Sequence, residues 1–263
     1  MRVGVFDSGL GGLTVLNKAL ELLPEEKFLY YADVDHVPYG EKTREQVVEY
    51  VDGAVDYMIN NGCKAIVIAC NTATSAGVQY LREKYDFIPI IGIEPAVKPA
   101  VLYLSKGKRV LVVATPITVK GEKLKKLIET YDENNIVDTI ALSELVNFAE
   151  KGIFDKDIIV PYLHEELKEY NPDDYGVLVL GCTHFPFFKD SFGIVMPGVS
   201  IIDGSTGSAS YLKVRMEEEG LLATDEDAQE GERVIFVESG RVVTEKYELE
   251  KIDKLCKRWR ELN

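Results

Sequence analysis

Short β-branched runs alternate along this chain with longer stretches whose apolar residues recur every three or four positions. In the first third the short runs are Val3–Phe6, Lys27–Ala32, Ala65–Ala69 and Ile88–Ile91. Their length and Val/Ile content predict buried strands. The stretches between them, Leu13–Leu23, Thr43–Asn60 and Thr74–Tyr85, have the spacing of amphipathic helices. Strand, helix, strand in this order predicts βαβ units and a parallel sheet. Asn60-Asn61-Gly62 carries a helix-end signal, with Gly62 free to take the left-handed conformation.

After Pro95 and Pro99 the pattern starts again. Arg109–Ala114, Ile136–Leu142, Val177–Leu180 and Ser200–Ile202 are the strand candidates of a second round. Val119–Tyr131, Ser143–Lys151 and Asp155–Glu169 are its helices. The rounds are spaced alike: Asp7 and Thr115 end their runs 108 residues apart, and Cys70 and Cys182 are 112 apart. Local identity between the rounds is slight, so the architecture is duplicated rather than the sequence. A tail adds a helix (Thr206–Glu219), a strand (Arg233–Val237) and a last helix (Glu245–Leu262). The expectation is an α/β fold of two similar parallel-sheet domains related by a pseudo-two-fold, with the site in the cleft between them. Residues 1–94 and 206–263 form the first domain and 95–205 the second, because chain termini often lie close together.

The chain has 263 residues and a formal charge of −14. That balance argues against a phosphate-backbone binder, which needs a basic stripe; no nucleic-acid partner is expected. The longest apolar runs, such as Ala65–Ile68 and Val177–Leu180, fall far short of a spanning helix. Met1-Arg2-Val3-Gly4 opens directly as a strand, without the apolar core of a signal peptide. No membrane association and a cytoplasmic location are expected. Residues 216–232 hold eight acids and no Lys or Arg, which reads as a solvated loop. The four cysteines, at 63, 70, 182 and 256, lack the spacing of a zinc site, so no metal is expected.

Ligands of open α/β sheets bind at the carboxyl ends of the strands. The residues there are Asp7-Ser8-Gly9-Leu10-Gly11-Gly12, then Tyr31-Ala32-Asp33 leading to Pro38-Tyr39-Gly40, then Cys70-Asn71-Thr72-Ala73-Thr74. The second round supplies Thr115-Pro116-Ile117-Thr118 and Cys182-Thr183-His184. The glycine-rich turn begins like a dinucleotide fingerprint but has Thr14 at the third glycine position. It reads better as a tight strand-to-helix turn whose backbone N–H groups suit an anion.

A free cysteine is most often a small buried hydrophobe, and Cys63 and Cys256 fit that role. Cys70 and Cys182 differ, because each ends a β-branched run and precedes a polar residue able to cap a helix. A thiol at a helix start leans towards the thiolate. Two thiols at matching places in facing domains could invert a stereocentre: one removes a proton from carbon and the other delivers one to the opposite face. Asp7 and His184 are nearest for orienting and proton management, whereas His36 and His164 read as structural.

At these positions the chain resembles glutamate racemase. The matching motifs are Phe6-Asp7-Ser8-Gly9-Leu10-Gly11-Gly12, Pro38-Tyr39-Gly40, Ala69-Cys70-Asn71-Thr72-Ala73, Gly181-Cys182-Thr183-His184-Phe185-Pro186 and Asp203-Gly204-Ser205. They run over most of the chain in family order. The resemblance implies a cofactor-independent two-thiol racemase that supplies D-glutamate for peptidoglycan and is often a homodimer. It implies that Cys70 and Cys182 are the acid/base pair, assisted by Asp7 and His184. It further implies substrate contacts from Asp7, Ser8, Tyr39, Gly40, Asn71, Thr72, Thr74, Thr183 and His184, with Thr115 and Thr118 as further contacts. Glu150 falls where the family often has a Leu-Val-Glu-Gly-like stretch; its neighbours differ here, and it stays outside the expected catalytic set. Competing readings are a racemase of aspartate or a related acid, a non-catalytic binding protein for an anionic metabolite, and a Rossmann-type nucleotide enzyme.

Overall fold

The computed structural model describes residues 1–224 and 231–263. In chain order the first round runs β1 (Arg2–Asp7), α1 (Leu13–Leu22), β2 (Phe28–Ala32), α2 (Arg44–Asn60), β3 (Cys63–Ile68), α3 (Asn71–Lys84) and β4 (Ile90–Gly92). A short helix, α4 (Val97–Pro99), and a π-helical turn (Ala100–Leu104) lead on. The second round is β5 (Arg109–Ala114), α5 (Pro116–Lys120), α6 (Glu122–Tyr131), β6 (Val137–Ala141), α7 (Glu144–Glu150), α8 (Lys156–Glu166), β7 (Tyr175–Gly181), α9 (Lys189–Val195) and β8 (Ser200–Asp203). The tail is α10 (Ser205–Glu218), β9 (Val234–Glu238), β10 (Arg241–Val242) and α11 (Lys246–Leu262).

The strands form two sheets, ordered β10-β9-β2-β1-β3-β4 and β6-β5-β7-β8. Stripped of its tail strands, the first sheet has the order of the second, and every pairing except β9–β10 is parallel. The tail strand β9 lies beside β2, with Phe28 opposite Val234. In each sheet the first strand of the round (β1, β5) is flanked by the second and third, which makes a switch point at its carboxyl end. Asp7 and Cys70 end one such pair of strands; Thr115 and Cys182 end the other.

The largest apolar core is shared by the two sheets. Leu13 and Leu16 of α1, Leu212 of α10 and Trp259 of α11 belong to the same cluster as Leu145 of α7, Phe185 and Phe188. Two smaller clusters cover the other faces, one around Val51, Val55, Met58 and Ile66, the other around Val110, Val112, Leu124 and Val177.

Local chemistry explains where the elements start and stop. Thr43 and Gln46 form a reciprocal capping box at the start of α2. Gly62 takes φ +79° just beyond its end, as the Asn-Asn-Gly signal requires. The single helix expected over Val119–Tyr131 is instead α5 and α6, divided at Gly121; a Cβ there would come within 2.9 Å of the Ile117 carbonyl. The acidic stretch is not all loop, since Glu217 and Glu218 belong to α10; residues 225–230 lie outside the described residues. Among the described residues no helix is long and apolar enough to cross a membrane.

A buried ion pair within the first round also receives a hydrogen bond from the tail. Lys64 Nζ on β3 lies 2.8 Å from Glu26 Oε2, with side chains only 7% and 2% exposed, and Glu26 Oε1 accepts from the Ala223 N–H. Removing one partner strands the other charge in the interior. Lys64→Met is therefore expected to cost about 3–5 kcal/mol in urea unfolding, and Glu26→Leu with Lys64→Met to recover most of that loss. A Lys64→Met cost below about 1 kcal/mol, the range of exposed pairs, would mean that the pair is effectively solvated.

Candidate active site

The carboxyl ends of β1, β3, β5 and β7 converge on one narrow cavity. Cys70 and Cys182 both line it, together with Ser8, Tyr39, Gly40, Asn71, Thr72, Thr115, Thr183 and His184. The two sulfurs come from the equivalent third strands of the two rounds, so the duplicated architecture itself brings them together.

The Cys70 side is built on a helix start. Cys70, rather than the following Asn71, is the N-cap of α3, and its sulfur accepts from the Ala73 N–H at 3.5 Å. Ser8 Oγ lies 3.5 Å from the same sulfur. The expected drift towards thiolate does not follow in the ligand-free site. Burial and the nearby Asp7 carboxylate push the Cys70 thiol up to about 12, outweighing the Ser8 and Ala73 hydrogen bonds. Cys70 in the substrate-free protein should thus alkylate at a rate still climbing above pH 9, measured by mass spectrometry against iodoacetamide. A rate that levels off near pH 8.5, as for an ordinary thiol, would contradict this environment.

The Cys182 side is built differently. No α-helix starts there; a 3-10 turn over Phe185–Phe188 follows. Its sulfur has an imidazole as neighbour, with His184 Nδ1 at 3.8 Å. His184 Nε2 in turn lies 2.7 Å from Glu150 Oε1. Burial alone would lower the His184 pKa, but the hydrogen bonds to Cys182 and Glu150 and the Glu150 carboxylate charge hold it well above the ordinary value. These contacts favour the imidazolium, in which both ring nitrogens donate. Burial opposes the Glu150 carboxylate; the His184 hydrogen bond and charge, the Leu10 N–H and Lys251 overcome it and hold the pKa low.

Glu150 lies outside the set expected from sequence, yet its carboxylate joins three parts of the chain. Oε1 accepts from the Leu10 N–H of the glycine-rich turn at 2.7 Å, and Oε2 is 3.6 Å from Lys251 on α11. The signal for it in the sequence is its place at the Leu-Val-Glu-Gly-like stretch, and helical spacing agrees with that place. Val146 lines the cavity, and four residues on along α7 Glu150 shares its face.

Asp7 is fully buried and stands behind the cavity rather than in its wall. Its Oδ2 accepts from the Gly9 N–H at 3.1 Å and its Oδ1 from Thr183 Oγ1 at 3.0 Å. Burial raises its pKa, against the pull of His184, Gly9, Gly12 and Thr183. Thr74, expected among the substrate contacts, turns away and donates to the Ile68 carbonyl at 3.1 Å. Thr72 and Thr115 join the two rounds directly, hydroxyl to hydroxyl at 2.8 Å, and Thr115 continues to Thr118 at 3.1 Å.

The glycine turn is a packing device. A Cβ on Gly11 would meet His184 Nδ1 at 2.5 Å and Thr183 Oγ1 at 2.6 Å, and one on Gly12 would meet Asp7 Cβ at 2.6 Å. The turn is thus filled by the opposing Cys182-Thr183-His184 segment, where a dinucleotide site would need room for a pyrophosphate.

The family described as Asp/Glu/Hydantoin racemase matches residues 15–210. The chain belongs to that family. Among its relatives, the glutamate racemase of Lachnospira eligens is 50% identical over 260 residues, covering 98% of this chain and 97% of the relative. Two solved racemase structures are similar throughout. That of Francisella tularensis glutamate racemase in complex with D-glutamate has a TM-score of 0.83 at 26% identity, covering 97% of this chain and 93% of the other. That of Escherichia coli glutamate racemase, in complex with L-glutamate and the activator UDP-MurNAc-ala, has a TM-score of 0.82 at 29% identity, covering 98% and 95%.

Proposed function

We propose that this protein interconverts L- and D-glutamate by removing the proton from Cα with one thiolate and returning a proton to the opposite face from the other thiol. The observation that carries this reading is that Cys70 and Cys182 line one cavity, each with its own polar support. Whichever sulfur acts as base on one enantiomer acts as acid for the other. Ser8 serves Cys70, and His184 with Glu150 serves Cys182. No cofactor is required by this scheme.

Substrate binding follows from the unpaired groups. Asn71 Oδ1 is buried without a partner among the described residues and lies at the cavity wall. Such an acceptor calls for a donor, and the α-ammonium group of an amino acid supplies one. The same ammonium brings positive charge towards Cys70, opposing the burial and Asp7 charge that hold its proton. Backbone N–H groups around Asn71 and Thr183 suit the α-carboxylate, where charge accumulates as the Cα proton leaves. Thr72, Thr115, Tyr39 and Gly40 form the wall for the side-chain carboxylate. Asp7 acts from behind, through Thr183. Local donors thus bind an anion against the overall charge of −14.

The same reading makes the protein a cytoplasmic homodimer supplying D-glutamate for peptidoglycan. Its sheet membership supports a division into residues 1–94 with 206–263 and residues 95–205. The test is circular dichroism of L-glutamate and of L-aspartate, each incubated with the purified protein and no added cofactor. Decay of the glutamate signal supports the proposal. Decay with aspartate alone would move the assignment to another member of the family, and decay with neither would refute racemisation of these acids.

A further inference from the structure

The wall formed by Tyr39 and Gly40 is secured from outside the cavity, by the turn between the tail strands β9 and β10. Tyr39 is 1% exposed, and its hydroxyl donates to Asp33 Oδ2 at 2.5 Å. Asp33 is itself 3% exposed and serves as a hub. His36 Nδ1 lies 2.8 Å from its Oδ1, and Ser239 Oγ donates to the same oxygen at 3.1 Å. Ser239 makes a second stitch, accepting from the Asp35 N–H at 3.1 Å. Its own N–H donates to the Ala32 carbonyl at 2.8 Å, so the residue is fixed at the carboxyl end of β2. The turn is strained for this purpose: Ser239 holds φ +44°, a region that favours glycine. A serine kept there, where glycine would be easier, points to work done by its hydroxyl.

We propose that Ser239 is a positioning residue for substrate binding, acting through Asp33 to fix Tyr39 and Gly40 against the second half of the molecule. The far side of the wall is close-fitting, since a Cβ on Gly40 would lie 3.3 Å from Thr115 Cβ. Loosening the hub lets the wall shift relative to Thr115. Ground-state binding then weakens more than proton transfer, because neither sulfur is supported by this network. The proposal rests on the racemase reading for its kinetic consequence alone; the strut itself is independent of it.

The test is Ser239→Gly. It removes the hydroxyl and relieves the positive φ, so folding is not compromised by backbone strain. KM for glutamate is expected to rise roughly three- to tenfold, the size of one or two lost hydrogen bonds, with kcat within about twofold and Tm unchanged or higher. A second readout needs no turnover: Cys70 lies in the same cavity, and its alkylation by iodoacetamide should accelerate severalfold relative to wild type, while that of Cys63 does not. Unchanged KM together with unchanged Cys70 alkylation would overturn the strut. A wild-type protein without racemase activity would remove the kinetic arm and the proposed function, leaving the alkylation comparison to decide the strut alone.

Discussion

Cys70→Ser and Cys182→Ser are each expected to lower turnover by at least the roughly 10²- to 10⁴-fold that a positioned proton-transfer group contributes. A serine hydroxyl keeps the size and the hydrogen bonds of the thiol but does not ionise near neutral pH, so one face of the carbon loses its base or acid. Cys70 and Cys182 are buried, 5% and 7% exposed, each at the rim of an apolar cluster with a polar neighbour at its sulfur, so a hydroxyl finds a partner there and the change of one atom should cost little stability. The loss should not be symmetric in every assay. Each single variant keeps one thiol, so it retains a capacity to exchange the Cα proton of one enantiomer without inverting it. Near-wild-type kcat in both directions for either variant, measured by coupled assay, would exclude the two-thiol scheme.

Glu150→Gln has the second-largest expected effect. Burial opposes the protonated form of His184, and the Glu150 carboxylate favours it. The amide can still hydrogen-bond Nε2 but contributes no charge. We expect kcat to fall roughly 10- to 100-fold, less than the loss of a proton-transferring group itself. The His184 pKa should drop, read from the pH dependence of its ring resonances in NMR, and any limb of the kcat profile that reports it should move to lower pH. The linkage has a definite sign. A histidine raised above its unfolded value stabilises the fold fully below about pH 6.5, and that contribution is lost as pH rises through its folded value. The variant should therefore lose stability relative to wild type most clearly below pH 6.5. A stability difference that grows towards alkaline pH would mean that Glu150 does not hold the His184 proton.

Much of this arrangement is legible in the residues alone. β-branched runs ending in Asp7, Cys70, Thr115 and Cys182 mark strand ends, and their repeat predicts two sheets with corresponding ends. What stays hidden depends on contacts distant in sequence. Glu150 falls at a Leu-Val-Glu-Gly-like stretch whose neighbours differ, and its part is visible only once Leu10, His184 and Lys251 converge on it, at separations of 140, 34 and 101 positions. The ionisation of Cys70 is another such case. Its helix start is visible in Cys-Asn-Thr, but the burial and the Asp7 carboxylate that oppose ionisation are matters of packing. Thr74 has a partner of local origin that its residue type does not reveal: one turn into α3 its hydroxyl donates to the Ile68 carbonyl. Likewise Asp33 and Ser239 lie 206 residues apart, and only the pairing of β9 with β2 brings them together.

The central claim is that the two sulfurs act on opposite faces of one carbon. The most direct measurement is the early fate of the Cα hydrogen in deuterated water, starting from L-glutamate. Two separate bases predict that the D-glutamate formed carries solvent deuterium at Cα, while L-glutamate recovered at the same time remains largely protiated. D-Glutamate that keeps its original protium, or L-glutamate that exchanges as fast as the D-enantiomer forms, would point to a single base serving both faces and contradict the account.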